Sequence, residues 1–176
     1  MENAKLLKTL KTALEMEEKG YDFYKELSGK SRNNVTKKTF GFLADKELLH
    51  IEAIKDFYST LNKTGELPAM RFESRAEERE KELSIFSKSI SELKEKIKPD
   101  DGDVKACKFA MDLENDSYRY YENMLKEARQ KALISLLRFL MKEETKHYEE
   151  IDNLHTYLTD SHNWFMYEEG SFPQGG

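Results

Sequence analysis

One cysteine, three prolines and eight glycines in 176 residues are what this sequence has least of. A single Cys107 excludes an intramolecular disulfide and any CxxC metal knuckle. Few breakers leave room for long uninterrupted helices. No apolar run approaches the roughly 20 residues needed to cross a bilayer. The start, MENAKLLKTLKTALEM, is broken by Lys and has no continuous hydrophobic region, so it does not read as a signal peptide. Cationic excess is also missing. With 29 Lys and Arg against 34 Asp and Glu, the net charge is -5 and the chain has no footprint for nucleic acid. What is abundant is Glu, Lys and Leu, with 36% charged and 38% hydrophobic residues. That mixture favours helices over strands, in one domain with a real core. A soluble cytoplasmic protein is the plain expectation.

Four segments carry helical apolar periodicity. The first, about 4–29, sets Leu7, Leu10, Leu14, Tyr21 and Tyr24 on one face. The second, about 35–62, does so with Phe40, Leu43, Ile54, Phe57 and Leu61. The third, about 103–129, lines up Val104, Cys107, Met111, Tyr118, Tyr121 and Leu125. The fourth, about 131–159, offers Leu137, Leu140, Ile151, Leu154 and Leu158. Short polar breaks join the first pair and the last pair, which predicts two antiparallel hairpins, 4–62 and 103–159, in a bundle domain over 1–160. Residues 63–102 hold a shorter predicted helix, about 76–97, whose charge run reads as a solvated face. A helix of about 27 residues is roughly 40 Å long, so this connection can run from end to end of the bundle. The expected fold is all-α, a ferritin-like four-helix bundle with one long crossover. Residues 161–176, DSHNWFMYEEGSFPQGG from Asp160, form an aromatic, Gly- and Pro-containing tail that is not helical throughout and carries no recognisable motif.

The hairpins match at an offset of 97: Ala13 on Ala110, Glu17 on Glu114, Tyr21 on Tyr118, Tyr24 on Tyr121, Glu47 on Glu144, His50 on His147 and Ile54 on Ile151. This register points to an internal duplication. Generic heptads reproduce apolar matches, but not Glu, Glu and His at the same three places.

Those polar residues interrupt the apolar seams near mid-helix. Glu47 and His50 stand between Leu43 and Ile54, and Glu144 and His147 between Leu140 and Ile151. Glu17 follows Leu14 and Glu114 follows Met111. Buried carboxylates are costly unless paired or metal-bound, and four together cannot all ionise unaided. Two divalent ions would balance four Glu and leave neutral imidazoles as the remaining donors. Glu-x-x-His places an oxygen and a nitrogen on one helix face. A Glu from each of two helices plus Glu-x-x-His from each of the other two is the ligand set of di-iron and di-manganese bundle proteins. Carboxylate with imidazole favours iron or manganese, whereas structural zinc more usually draws on cysteine. The bland alternative is an ordinary boundary stripe of Glu and His, and a single Glu-x-x-His would not rise above it. Glu18 and Glu143 flank Glu17 and Glu144, but the heptads select the latter pair.

Read as LEMEEKGYDFY, DKELLH, LENDSYRYY and KEETKH, these segments resemble the rubrerythrin branch of the ferritin-like superfamily, over about 7–158. The resemblance implies a pair of iron ions that reacts with hydrogen peroxide or dioxygen in oxidative-stress defence. It implies Glu17 and Glu114 as terminal ligands, Glu47 and Glu144 as bridging ligands, and His50 and His147 on one iron each, with no catalytic residue apart from these. Manganese or a mixed metal pair are the alternatives. Rubrerythrins proper add a rubredoxin-type domain with two CxxC pairs, which this chain lacks, so electrons would come from a separate rubredoxin-like donor protein. They also place a further Glu one turn after the third-helix ligand, where this chain has Ser117. That substitution implies a more symmetric, ferritin-like centre, and keeps open a ferroxidase or iron-binding role in storage or delivery. An oxygenase with an organic substrate is a third reading. A homodimer is expected by the same resemblance. Tyr24 and Tyr121, seven residues after a ligand Glu, are read as core aromatics with satisfied hydroxyls ahead of one-electron carriers. Cys107 is read as a small core hydrophobe and His155 as a boundary residue.

Overall fold

A computed structural model of the chain describes residues 3–68 and 101–160. They form four helices: α1 Asn3–Lys30, α2 Asn34–Thr64, α3 Asp101–Glu127 and α4 Lys131–Thr159. Each agrees with its expected span to within two residues, and α4 coincides with it. The expected helix at 76–97 and the tail at 161–176 lie outside the described residues. None of the described helices is long and apolar enough to cross a membrane.

Local chemistry sets the helix ends. At α2, Asn33 turns its Oδ1 back to accept from the backbone N–H of Val35 at 2.8 Å and of Thr36 at 3.3 Å, capping two free donors. At its far end Gly65 adopts φ 74°, a left-handed conformation that costs little only for glycine, and its N–H closes on the Leu61 carbonyl at 2.9 Å. α3 stops two residues earlier than expected, because the Ala128 N–H is shared between the Met124 and Leu125 carbonyls.

α1 packs along α2 and α3 along α4, and the hairpins meet through α1 with α3 and α2 with α4. Contacts at the two ends give the chain direction. At one end Asn3 donates to the Gly65 carbonyl (2.8 Å), Lys5 pairs with Glu127, and the Tyr120 hydroxyl donates to the Thr9 carbonyl. At the other, Ser31 donates to Asp103 at 3.0 Å. The chain therefore leaves α2 at one end of the bundle and enters α3 at the opposite end, as a ferritin-like crossover requires.

The core has two apolar clusters. One holds Leu6, Leu10, Phe57, Met124, Leu133 and Leu136 among others, and the second Tyr24, Phe40, Leu43, Cys107, Leu154 and Leu158 among others. Every seam residue expected on α2 and α4 is buried. On α1 and α3 the deep positions differ from the expected seam. Leu6 and Ala13 lie deeper than Leu7 and Leu14, and Ala110, Met124 and Ala128 deeper than Met111 and Leu125. A helix held against two neighbours buries a stripe wider than a pairwise seam, so a two-position list catches only part of it. Cys107 is fully buried and His155 half-buried.

Candidate metal centre

Between the two clusters sit Glu17 from α1, Glu47 and His50 from α2, Glu114 from α3, and Glu144 and His147 from α4, none more than 3% exposed. The flanking acids stand apart: Glu18 is exposed and pairs with Lys55 at 3.2 Å, while Glu143 pairs with Lys146. Helical phase explains this, since neighbours along a helix differ by about 100° and cannot both face the axis.

The two imidazoles stack, with centroids 5.1 Å apart and planes 17° from parallel. Around His50 Nδ1 lie Glu17 Oε2 at 3.0 Å, Glu47 Oε2 at 3.6 Å and Glu144 Oε1 at 3.6 Å. Around His147 Nδ1 lie Glu47 Oε1 at 3.2 Å, Glu114 Oε2 at 3.6 Å and Glu144 Oε2 at 3.8 Å. Glu47 and Glu144 thus each turn one oxygen to one histidine and the other oxygen to its counterpart. Glu17 and Glu114 each serve one side. Two carboxylates are thus shared between the two imidazoles, and two belong to one imidazole each. Among the described residues, Glu47, His50, Glu144 and His147 offer ligand atoms that all lie within 4.8 Å of one another. Gly20 stands beside the Glu47 carboxylate, where an added Cβ would lie 3.6 Å away in ordinary contact.

The protein alone does not satisfy this cluster. Nε2 of both histidines and Oε1 of Glu144 are buried with no hydrogen-bond partner. Buried polar atoms are rarely left so, at about 1–3 kcal/mol each. The acidities tell the same story. Burial, reinforced by the Glu47 charge, pushes Glu17 up to about 8. Glu144 is raised well above the carboxylate range by burial and by the charges of Glu17 and Glu114. Against its own burial, Glu47 is held well below that range by hydrogen bonds with Glu17, His147 and His50. Burial alone would lower both histidines, but Glu17 and Glu47 hold His50 up to about 9, and Glu114 and Glu47 raise His147. The cluster retains protons that divalent cations would replace. Four carboxylates and two imidazoles, with orphaned donor atoms converging on shared positions, fit a di-metal group.

Two tyrosines brace the site crosswise. The Tyr24 hydroxyl donates to Glu114 Oε1, and the Tyr121 hydroxyl to Glu17 Oε1. Each therefore orients the α1 or α3 Glu of the opposite half, a pairing that their sequence distance from the nearer Glu did not show. Burial, with the surrounding Glu charges, raises both phenols well above their ordinary value, so they stay protonated as donors. Replacing Tyr121 with Phe is expected to cost about 1–3 kcal/mol, read as a lower urea midpoint, because Glu17 Oε1 loses its donor in a buried site.

No curated protein and no solved structure matches the chain. The family model described as Rubrerythrin matches residues 8–155, a span that takes in both hairpins and all six converging side chains. With that match, the end-to-end crossover and a duplicated Glu plus Glu-x-x-His centre, the chain belongs to the rubrerythrin family.

Proposed function

We propose that this chain is a non-haem di-iron oxidoreductase that reduces hydrogen peroxide or dioxygen with electrons from a separate donor protein. The observation that carries the reading is the shared pair Glu47 and Glu144, whose four oxygens divide evenly between His50 and His147. Glu17 with His50 would complete one metal position and Glu114 with His147 the other, with Glu47 and Glu144 bridging. Bound iron would supply two electrons to an O–O bond; with peroxide, two protons then complete two waters. The protein's own contribution is positional. Tyr121 and Tyr24 hold the Glu17 and Glu114 carboxylates in place, the apolar clusters on either side keep bulk water from the centre, and Glu47 and Glu144 would be shared by the two metal ions. In this reading the electrons come from a separate one-electron donor such as a rubredoxin-like protein. Cytoplasmic residence accords with that partner.

The test is anaerobic loading with ferrous iron followed by peroxide in a stopped-flow cell. Ferric near-ultraviolet absorption should rise at least about 100-fold faster than in Glu144→Ala, since a ligand should matter more than the 10–100-fold of its supporting shell. Equal rates would sink the proposal.

A second reading, ferroxidase or iron handling for storage or delivery, draws on Ser117. This half-buried residue stands one turn after Glu114, where its counterpart in the first half is Gly20, so neither half brings a further acid there. Storage needs a cage. The expected homodimer, measured as native mass in solution, would count against it.

A further inference from the structure

The two halves of the centre repeat one another, but their surroundings do not. Three residues after His147 stands Glu150, while the matching place after His50 is Ala53. Side chains three apart on a helix share a face, about 5–6 Å between Cβ atoms. Glu150 therefore brings a carboxylate beside one imidazole and has no equivalent beside the other. Its Oε2 is buried without a hydrogen-bond partner, and so is Nε2 of His147. Two cations stand near enough for their charge to reach Glu150: Lys146, which pairs with Glu143, and Lys46 of α2, whose ammonium lies 5.0 Å over the Phe42 ring. Glu150 as a whole is half-buried, and burial pushes its carboxyl up to about 7, with His147, Lys46 and Lys146 drawing it down and Glu143 raising it.

A neutral imidazole that gives Nδ1 to a cation keeps its proton on Nε2, and that N–H needs an acceptor. We propose that Glu150 is the positioning carboxylate of His147, accepting the Nε2–H hydrogen bond through a small side-chain rotation or one bridging water when a divalent cation fills the centre. Because Ala53 offers no such acceptor, the two metal positions are unequal, and the His147 position is the tighter. This inference rests on the di-metal reading above.

The test titrates chelator-treated protein with Co2+, followed by visible absorption and calorimetry. The unaltered chain should load in two separate steps. Glu150→Gln, which keeps shape and removes charge, should weaken the tighter step by about 10-fold or more, drawing the two steps together. Glu150→Asp should restore part of the separation, and Ala53→Glu should strengthen the weaker step. In Zn2+-loaded protein with 15N-labelled histidine, Glu150→Gln should shift Nε2 of His147 and leave His50 in place. Two Co2+ bound identically with and without Glu150, with His147 unmoved, would overturn the positioning role while leaving the di-metal reading intact. Failure of the unaltered chain to bind Co2+ would overturn both.

Discussion

Metal-free protein should lose stability as pH rises from about 5 to 9, and metal-loaded protein should gain it over the same interval. Glu17 stands at about 8 in the fold against an ordinary 4.5, and His50 at about 9 against 6.5. Between those values the folded state holds protons that the unfolded chain has released, so stability falls with pH across the window. His50's contribution is fully present below 6.5 and is lost as pH passes 9. Glu47 acts the other way. Its depressed value contributes stability above the ordinary carboxylate range and loses it in acid, which places the metal-free optimum near pH 5. A divalent cation must expel the same protons to bind, so its affinity grows with pH and the slope reverses. Melting temperatures of chelator-treated and Mn2+-loaded protein at pH 6 and 8.5 are the check. Slopes of one sign in both forms would show that the six side chains do not share a cation site.

Replacing Glu144 with Gln should remove metal from both positions yet leave the empty fold sound. Glu144 turns Oε1 to His50 and Oε2 to His147, so loss of its charge and of one oxygen weakens both halves together. Glu17→Gln should impair only the His50 half and retain one ion per chain. Metal counting after dialysis separates the cases: two ions in the unaltered chain, one in Glu17→Gln, and fewer than one in Glu144→Gln. Affinity in the last should fall by more than about 100-fold, beyond the usual effect of a supporting residue. Without metal the amide mimics the protonated acid that Glu144 already is, raised far above the carboxylate range. The metal-free variant should therefore match the unaltered protein at pH 6. At higher pH, where the unaltered protein is driven to ionise Glu144 among the other buried carboxylates and the amide is not, the variant should be the more stable. The gain should read as roughly 2–4 °C for each kcal/mol in a domain of this size.

The sequence alone determined a great deal here, because the decisive residues break a strong pattern. Glu47, His50, Glu144 and His147 interrupt apolar seams that would otherwise run unbroken, and the offset of 97 repeats the break. Helix spans followed from periodicity and few breakers, and the crossover from the length of the 63–102 connection. Tertiary structure decided what depends on which helix faces which. That the Tyr121 hydroxyl reaches Glu17, and the Tyr24 hydroxyl Glu114, is a contact between hairpins about a hundred residues apart. The rotation of α1 and α3 that buries Leu6 and Ala13 ahead of Leu7 and Leu14 arises from two neighbours pressing on each helix. The division of Glu47 and Glu144 between the two histidines requires two side chains to meet across α2 and α4. Glu150 reads in the sequence like any acid on a Glu-rich helix; that one of its oxygens is buried without a partner only the structure shows. Periodicity along a chain records how each helix is oriented to the core; it carries no record of which partner atom waits there.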